Sequence, residues 1–278
     1  MKKINTYILE KLKLNKDSGI KYNYHPKDKS ELRSLIEKLL KERGRDADLN
    51  DIDVSDITDM SGLFKGLDIK NINISEWDVS NVTDMDTMFK GCENFNSDLS
   101  EWNVSKVTTM GGMFFNCEKF NSDLSKWDVS NVEHANFMFY NCAQFNSDLS
   151  DWDVSKINSI DGMFFCCTNF NSNLSKWDIS NVTETYSMFL KCENFNADLS
   201  RWDVSNIKNM DSMFEDCINF NSDLSKWDVS NVTDMQMMFK GCKKFNCDLS
   251  NWDVSNVKDM RDMFRNCDSI KKPTWYKE

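Results

Sequence analysis

The sequence has few of the residues that catalytic and metal-binding sites use. It contains only two histidines, His25 and His134, and they are not spaced as a pair of metal ligands. No glycine-rich phosphate loop and no nucleophile elbow is present. No apolar run approaches the roughly 18 residues of a membrane span. We therefore expect no catalysis, no cofactor and no membrane-spanning segment.

The first residues also lack the features of an export signal. The start, MKKINTYILEKLKLNKDSG, is basic but has no apolar stretch of about 7–15 residues. We predict no secretion from it, and the sequence leaves the location of the protein open.

What the sequence has in abundance is repetition. The segment FNSDLSKWDVS occurs at residues 120–130 and again at 220–230. Tryptophan recurs every 25 residues, at positions 77, 102, 127, 152, 177, 202, 227 and 252. Cysteine keeps the same period from 92 to 267, and a degenerate copy lies at 52–64. A fixed period of this length predicts a stack of units, here eight full coils and a degenerate first one.

Two different patterns follow one another within each unit. In the unit 99–123, Trp102 and Val104 lie two residues apart, as on one face of a short strand. Residues 110–117 then carry apolar side chains at the i, i+3, i+4, i+7 spacing of a helix stripe. The sequence therefore predicts an α/β fold with nine strand–helix coils and a parallel sheet.

The repeat resembles a known family. The pattern L-x-x-W-x-V-x-x-V-T-x-M-x-x-M-F-x-x-C-x-x-F, over about residues 48–270, is similar to the BspA-like leucine-rich repeats of mycoplasmas and gut microbes. The resemblance implies a leucine-rich-repeat-type solenoid and, for function, protein–protein interaction, adhesion or surface display. A phage-borne structural or host-interaction protein is an alternative setting.

We predict three regions along the chain. Residues 1–47 form a leader and an N-terminal helical cap, with a helix at 30–44 that starts at Ser30 and ends at Gly44. A further helix is expected at 4–14 and an extended link at 22–26. Residues 48–270 form the repeat array, and residues 271–278 form a C-terminal cap tail that folds back over the last coil.

Charge is unevenly distributed and limits the choice of partner. Residues 1–46 hold 13 Lys and Arg against 7 Asp and Glu, whereas residues 47–278 hold 21 against 38. An acidic array repels phosphate backbones, which argues against nucleic acid. The aspartates form two columns, which begin at Asp78 and Asp98. They have three interpretations: hydrogen bonds in turns, a protein-facing acidic surface, or calcium ligands, so a calcium-dependent structural solenoid is an alternative function.

The other columns favour structure over chemistry. The Trp column shares the phase of the inward Val residues, so we expect it in the core. The Cys column is interpreted as buried reduced thiols, with disulfides between adjacent coils as the alternative. Cys166 and Cys247 lie off the column and are candidate reactive thiols. The Asn column, from Asn96 to Asn246, is expected to satisfy backbone groups.

One interruption of the repeat predicts a binding site. The position after each Met-Phe pair is apolar in four consecutive coils and charged on either side of them. It lies away from the predicted core stripe. With two nearby outward aromatics, these positions form a predicted partner-binding patch of Phe115, Phe137, Tyr140, Phe165, Tyr186 and Leu190. We expect a protein partner or a second copy of the chain to bind there; the alternative is that the leader covers it.

Overall fold

A single helix precedes the repeat array. The structure, a computed structural model, describes residues 22–277, and the helix expected at 4–14 lies outside them. Helix α1 spans Lys29–Arg43. It begins after Asp28, whose carboxylate accepts the Glu31 N–H at 2.9 Å, and not at Ser30 as predicted. It ends at Gly44, where φ is +87°.

The predicted α/β fold is wrong. Over residues 44–277 the structure has no helix and no strand, so the nine strand–helix coils and their parallel sheet do not form. What remains is the stack itself. Isolated parallel bridges join residues 25 apart, from Asp59 with Asp84 to Asp234 with Asp259, in eight successive steps across the described residues. The protein is a stack of 25-residue coils built from turns.

Left-handed backbone explains the missing helices. Two positions in each coil have φ between +52° and +79°, for example Gly112 and Asn116 in the coil 99–123. A right-handed helix needs negative φ at every residue, so these positions interrupt it twice in five residues. The second position is Gly, Asn or Asp in seven of nine coils, at Gly66, Gly91, Asn116, Asn141, Asp216, Gly241 and Asn266. These are the residue types that adopt this conformation at least cost.

Over residues 112–116, backbone N–H groups donate alternately to the next coil and to their own coil. The N–H groups of Met113 and Phe115 donate within the coil, to carbonyls three residues earlier. The N–H groups of Met110, Gly112, Phe114 and Asn116 donate to carbonyls of the next coil, at 2.8–2.9 Å. Every second residue therefore links adjacent coils, while the residues between them close the turns.

On the Trp side of each coil, side chains take the place of a sheet. The Trp127 indole N–H donates to the Leu99 carbonyl of the preceding coil at 2.9 Å. The Asn96 side-chain oxygen accepts the Asn121 backbone N–H at 2.8 Å. The Ser122 hydroxyl oxygen accepts the Leu99 N–H at 2.9 Å. These bonds need the same side chain in consecutive coils, which accounts for the uniformity of the Trp, Asn and Ser columns.

The core consists of the residue columns that were predicted from the sequence to face inward. The eight repeat tryptophans are at most 5% exposed, and the Val, Met, Phe and Cys columns are buried beside them in all but the last coil. Successive rings stack: Phe89 and Phe114 have centroids 5.5 Å apart, and Trp152 and Trp177 have centroids 6.5 Å apart. The prediction of an inward Trp column is confirmed.

The two ends of the array are covered differently. At the first coil, α1 buries Leu32, Ile36 and Leu39, and Arg33 donates to the Leu63 carbonyl at 2.7 Å. At the last coil, Trp275 continues the Trp column: its ring stacks on Trp252 at 6.5 Å. Residues 271–277 thus extend the core on the Trp side of the array.

Candidate functional site

Three rings of the predicted patch form a continuous row on the surface. Phe115, Tyr140 and Phe165 occupy the same position in consecutive coils. Their centroids are 4.3 Å apart in both pairs, with interplanar angles of 2° and 10°. All three are half-buried because each ring covers its neighbour. We call these three residues the aromatic row; Leu190 has the same position in the next coil.

The other two aromatics lie beside this row. Phe137 packs edge-on against Tyr140 at 6.2 Å and has a left-handed backbone, with φ at +57°. Its ring extends over Gly162, where an added side chain would collide with it. Tyr186 is 43% exposed, and its backbone N–H donates to the Asp161 carboxylate at 3.0 Å. The row with Leu190, Phe137 and Tyr186 is the aromatic surface.

Charged groups bound the row. The Lys90 ammonium lies 4.2 Å from the centroid of the Phe115 ring, which is a cation–π distance. In the coil beyond Leu190, Glu215 pairs with Lys240 at 2.7 Å, and both side chains are largely buried. The apolar positions are therefore limited to four coils. The structure places them on the turns that follow the Met-Phe pairs, and not on the side of a helix.

The stacking decides which part of each ring a ligand can reach. Within the row the ring faces lie against one another, and Lys90 lies over the end ring, Phe115. The ring faces between Phe115 and Phe165 are therefore covered, while the ring edges lie on the outside of the row. A flat ligand such as a sugar or a base would need an open ring face, whereas an apolar side chain can pack against edges. The faces inside the row are therefore closed to flat ligands.

Partly buried carboxylates lie near the aromatic surface. Burial raises the pKa of Asp161 above its usual range, although its oxygens accept from Tyr186 N–H and, at 3.2 Å, from the Ser159 hydroxyl. Burial and the neighbouring Asp161 charge raise the pKa of Glu184. Burial also raises the pKa of the Tyr140 phenol. Ionised carboxylates are thus disfavoured here compared with water.

The cysteines are free thiols without features of reactive ones. The Cys117 thiol donates to the Phe89 carbonyl at 3.0 Å, and the column repeats this contact from Cys92 to Cys242. Burial raises the pKa of Cys92 to about 12. The two off-column thiols, Cys166 and Cys247, are partly exposed, and burial raises the pKa of both, to about 11 for Cys247. A raised pKa lowers the thiolate fraction, and with it the reactivity.

The aspartate columns make turn hydrogen bonds. Asp98 accepts the Ser100 N–H at 2.9 Å, and Asp78 accepts the Ser80 N–H at 3.1 Å. Corresponding bonds recur along both columns and lower the pKa of several members, such as Asp148. Within residues 22–277, no group of three or more His, Cys, Asp or Glu residues could hold a metal ion. No helix in this range is long and apolar enough to cross a membrane.

These features define a repeat protein of stacked coils with one distinctive surface. Three overlapping stretches, residues 34–152, 117–217 and 192–276, match the family described as "Mycoplasma protein of unknown function, DUF285". Together they cover most of the chain, and the chain belongs to this family. The resemblance to a mycoplasma repeat family is confirmed at that level, while the leucine-rich-repeat solenoid that it implied is not what the coils form. A search of curated proteins gave no match.

Proposed function

We propose that the protein is a non-catalytic binding module that contacts a protein partner through the aromatic surface. The observation that carries this proposal is the aromatic row: three stacked rings on the outside of the coils, in a position that is charged in every other coil except that of Leu190. Clusters of aromatic side chains bounded by charge are typical of binding hot spots. Adhesion or assembly would be a use of such binding.

The coils allow this surface to be varied separately from the core. The Met-Phe side chains below it are buried, whereas the rings of the row are half-buried and stack on one another outside the core. Coils of a repeat protein depend chiefly on their neighbours, so outward substitutions leave the stack intact. Elsewhere on the surface, many aspartate carboxylates already accept turn hydrogen bonds within their own coil.

The test is a double substitution, Tyr140→Asp with Phe165→Asp. It removes two rings and adds two negative charges. The control, Asn158→Asp with Asn194→Asp, adds the same charge at exposed positions away from the row. We expect the melting temperature of the patch variant to fall by roughly 3–18 °C with unfolding still cooperative, since three ring pairs of about 0.5–1.5 kcal/mol each are lost and each 1 kcal/mol shifts it by about 2–4 °C.

Binding is measured in two ways. Sedimentation over a wide concentration range detects a second copy as the partner. A different partner is detected by quantitative capture with the unaltered chain, the patch variant and the control. The captured protein is then purified and titrated against each of the three. An interaction lost in the patch variant and kept in the control supports the proposal. Interactions that survive in a folded patch variant, or a collapse of its stability, contradict it.

A further inference from the structure

The last coil has a row of backbone donors without acceptors. Inside the array, four N–H groups of a coil donate to carbonyls of the next one, or three in the coil of Gly162; in the last such interface they run from Met235 to Gly241, at 2.8–3.0 Å. In the last coil the corresponding donors belong to Met260, Asp262, Phe264 and Asn266. None of these four N–H groups has an acceptor among residues 22–277. We call these four groups the donor edge.

The residues after the last coil cover this edge only at Phe264; Met260 is partly exposed, and Asp262 and Asn266 are exposed. Trp275 stacks on Trp252, and Tyr276 packs edge-on against Phe264 at 5.0 Å. A groove of about 880 Å³ lies between this tail and the turns of the last coil. Phe264 is only 1% exposed, so a ligand carbonyl reaches its N–H only when the Tyr276 ring moves aside. A backbone N–H without an acceptor is unfavourable, and a ligand carbonyl would relieve it.

The core of the last coil is also incompletely covered. Val254, Val257 and Met260 are partly exposed, whereas the corresponding residues of the coil 99–123 are buried. The apolar side chains and the donor edge belong to the same end of the array. A ligand lying on this end would therefore bury apolar surface and complete backbone hydrogen bonds together.

The groove is basic although the array is acidic. It is lined by five basic residues, Lys258, Arg261, Arg265, Lys272 and Lys277, and by two acidic ones, Asp259 and Asp262. Inside the array, a basic residue at the position of Arg265 forms an ion pair with the neighbouring coil. Lys240, one coil before Arg265, pairs with Glu215 of the coil before it at 2.7 Å. Arg265 presents the same charge, and its own ion pair with Asp262, at 3.6 Å, is long and exposed.

A second copy of this chain does not fit the donor edge. Two donor edges facing one another would bring N–H groups against N–H groups. At the other end of the array, Arg33 already donates to the carbonyls of Gly62, Leu63 and Lys65, at 2.7–3.4 Å, and α1 covers the apolar side chains. The occupant must bring carbonyls and negative charge of its own.

We propose that the groove at the last coil binds an acidic peptide segment of another protein, which follows the turns of residues 260–266 and offers carbonyls of alternate residues to the donor edge. The segment 209–216 of this chain is an example of the required chemistry. Its carbonyls at Asn209, Asp211, Met213 and Glu215 accept four N–H groups of the preceding coil at 2.7–3.1 Å. It also carries three carboxylates.

The probe is a synthetic peptide with the sequence of residues 208–218 and Cys217→Ser, added to the full chain. A matched peptide carries Asp211→Asn, Glu215→Gln and Asp216→Asn. We expect the acidic peptide to bind at least tenfold more tightly than the neutral one. We also expect it to slow hydrogen exchange at the four amides of the donor edge, and not at corresponding amides of internal coils, which are already paired.

The protein variant is Arg261→Glu with Arg265→Glu. Its control, Lys126→Glu with Lys176→Glu, makes the same change of charge at exposed lysines on other coils. We expect at least a tenfold loss of binding in the first variant and little change in the control. Absence of binding at millimolar peptide overturns the proposal, and so does binding that leaves the four amides unprotected. Hydrogen exchange is measured on the unaltered chain, so the proposal is tested even if the Arg261→Glu, Arg265→Glu variant fails to fold.

Discussion

Each tryptophan of the column combines a buried ring with a satisfied indole N–H. Trp152 is 4% exposed, donates to the Leu124 carbonyl at 3.0 Å, and stacks on Trp177. Burial of the ring and the hydrogen bond act at the same interface between coils. The residue therefore contributes to the stack as well as to its own coil.

Replacing Trp152 with Ser should lower the free energy of unfolding by about 3–5 kcal/mol, because it leaves a cavity and removes one of the two hydrogen bonds that the Leu124 carbonyl accepts. Urea denaturation measures the loss. Trp275→Ser is the matched control, since this ring is only partly buried and its contacts lie at the end of the column. We expect a smaller loss there. Equal losses at the two positions would argue against a contribution from the position of Trp152 inside the column.

Asp161 and Asp148 should respond to pH in opposite ways. Burial raises the folded pKa of Asp161, so its contribution to stability is complete below the unfolded pKa of about 3.9 and is lost as pH rises through the folded value. Hydrogen bonds from Ser150 lower the folded pKa of Asp148, so its contribution is present above the unfolded pKa and is lost as pH falls through the folded value.

Substitution by asparagine separates the two cases. Relative to the unaltered chain, Asp161→Asn should become more stable as pH rises from 4 to 7, because it removes a desolvated charge. Asp148→Asn should become less stable, relative to the unaltered chain, as pH rises from about 2 to about 4, because it removes a carboxylate whose ionised form accepts turn hydrogen bonds. Urea unfolding at several pH values measures both slopes. Slopes of the same sign would show that burial does not raise the pKa of Asp161 in the folded protein.

At the scale of elements, α1 is the cap of the array. Its buried face covers the first coil, and Arg33 supplies donors to carbonyls that have no preceding coil. The same side chain pairs with Glu37 at 2.6 Å, which fixes the guanidinium in place. These hydrogen bonds to the first coil thus come from a single side chain of the helix, beside the packing of its buried face.

Arg33→Met keeps most of the apolar stem and removes the donors. We expect it to cost about 1–3 kcal/mol, the usual penalty for leaving shielded polar groups without partners. Lys38→Met, at an exposed position of the same helix, should change stability by less than about 0.5 kcal/mol. Calorimetry measures both. A cost at Lys38 equal to that at Arg33 would mean that the carbonyls of the first coil do not need the guanidinium.

The inward columns could be predicted from the sequence, but the secondary structure of the coil could not. Met110, Met113, Phe114 and Cys117 satisfy the helix spacing, yet a path of successive tight turns also brings them inside. The decisive signal was weak in any one coil. Asn116 or Gly91 alone is compatible with a helix end, and Phe137 and Met237 at left-handed positions conceal the pattern further.

The same reasoning applies to the aromatic surface. Outward position and charged flanks were visible in the repeat, because the period aligns Phe115, Tyr140 and Phe165. The mutual stacking that hides the ring faces depends on the rotamers and the separation of the coils, which no sequence pattern gives. The donor edge was also beyond prediction, since it follows from hydrogen bonds that a helix or a sheet would have arranged differently.

For the whole molecule, the constant separation of contacts has a mechanical consequence. Nearly every hydrogen bond between coils joins residues 22–28 positions apart, and none in the array connects distant coils. Pulling on the two ends should therefore unfold the array one coil at a time. Each event would release roughly 80 Å of chain, the contour of 25 residues, and a single-molecule force trace would show evenly spaced steps instead of one large rupture.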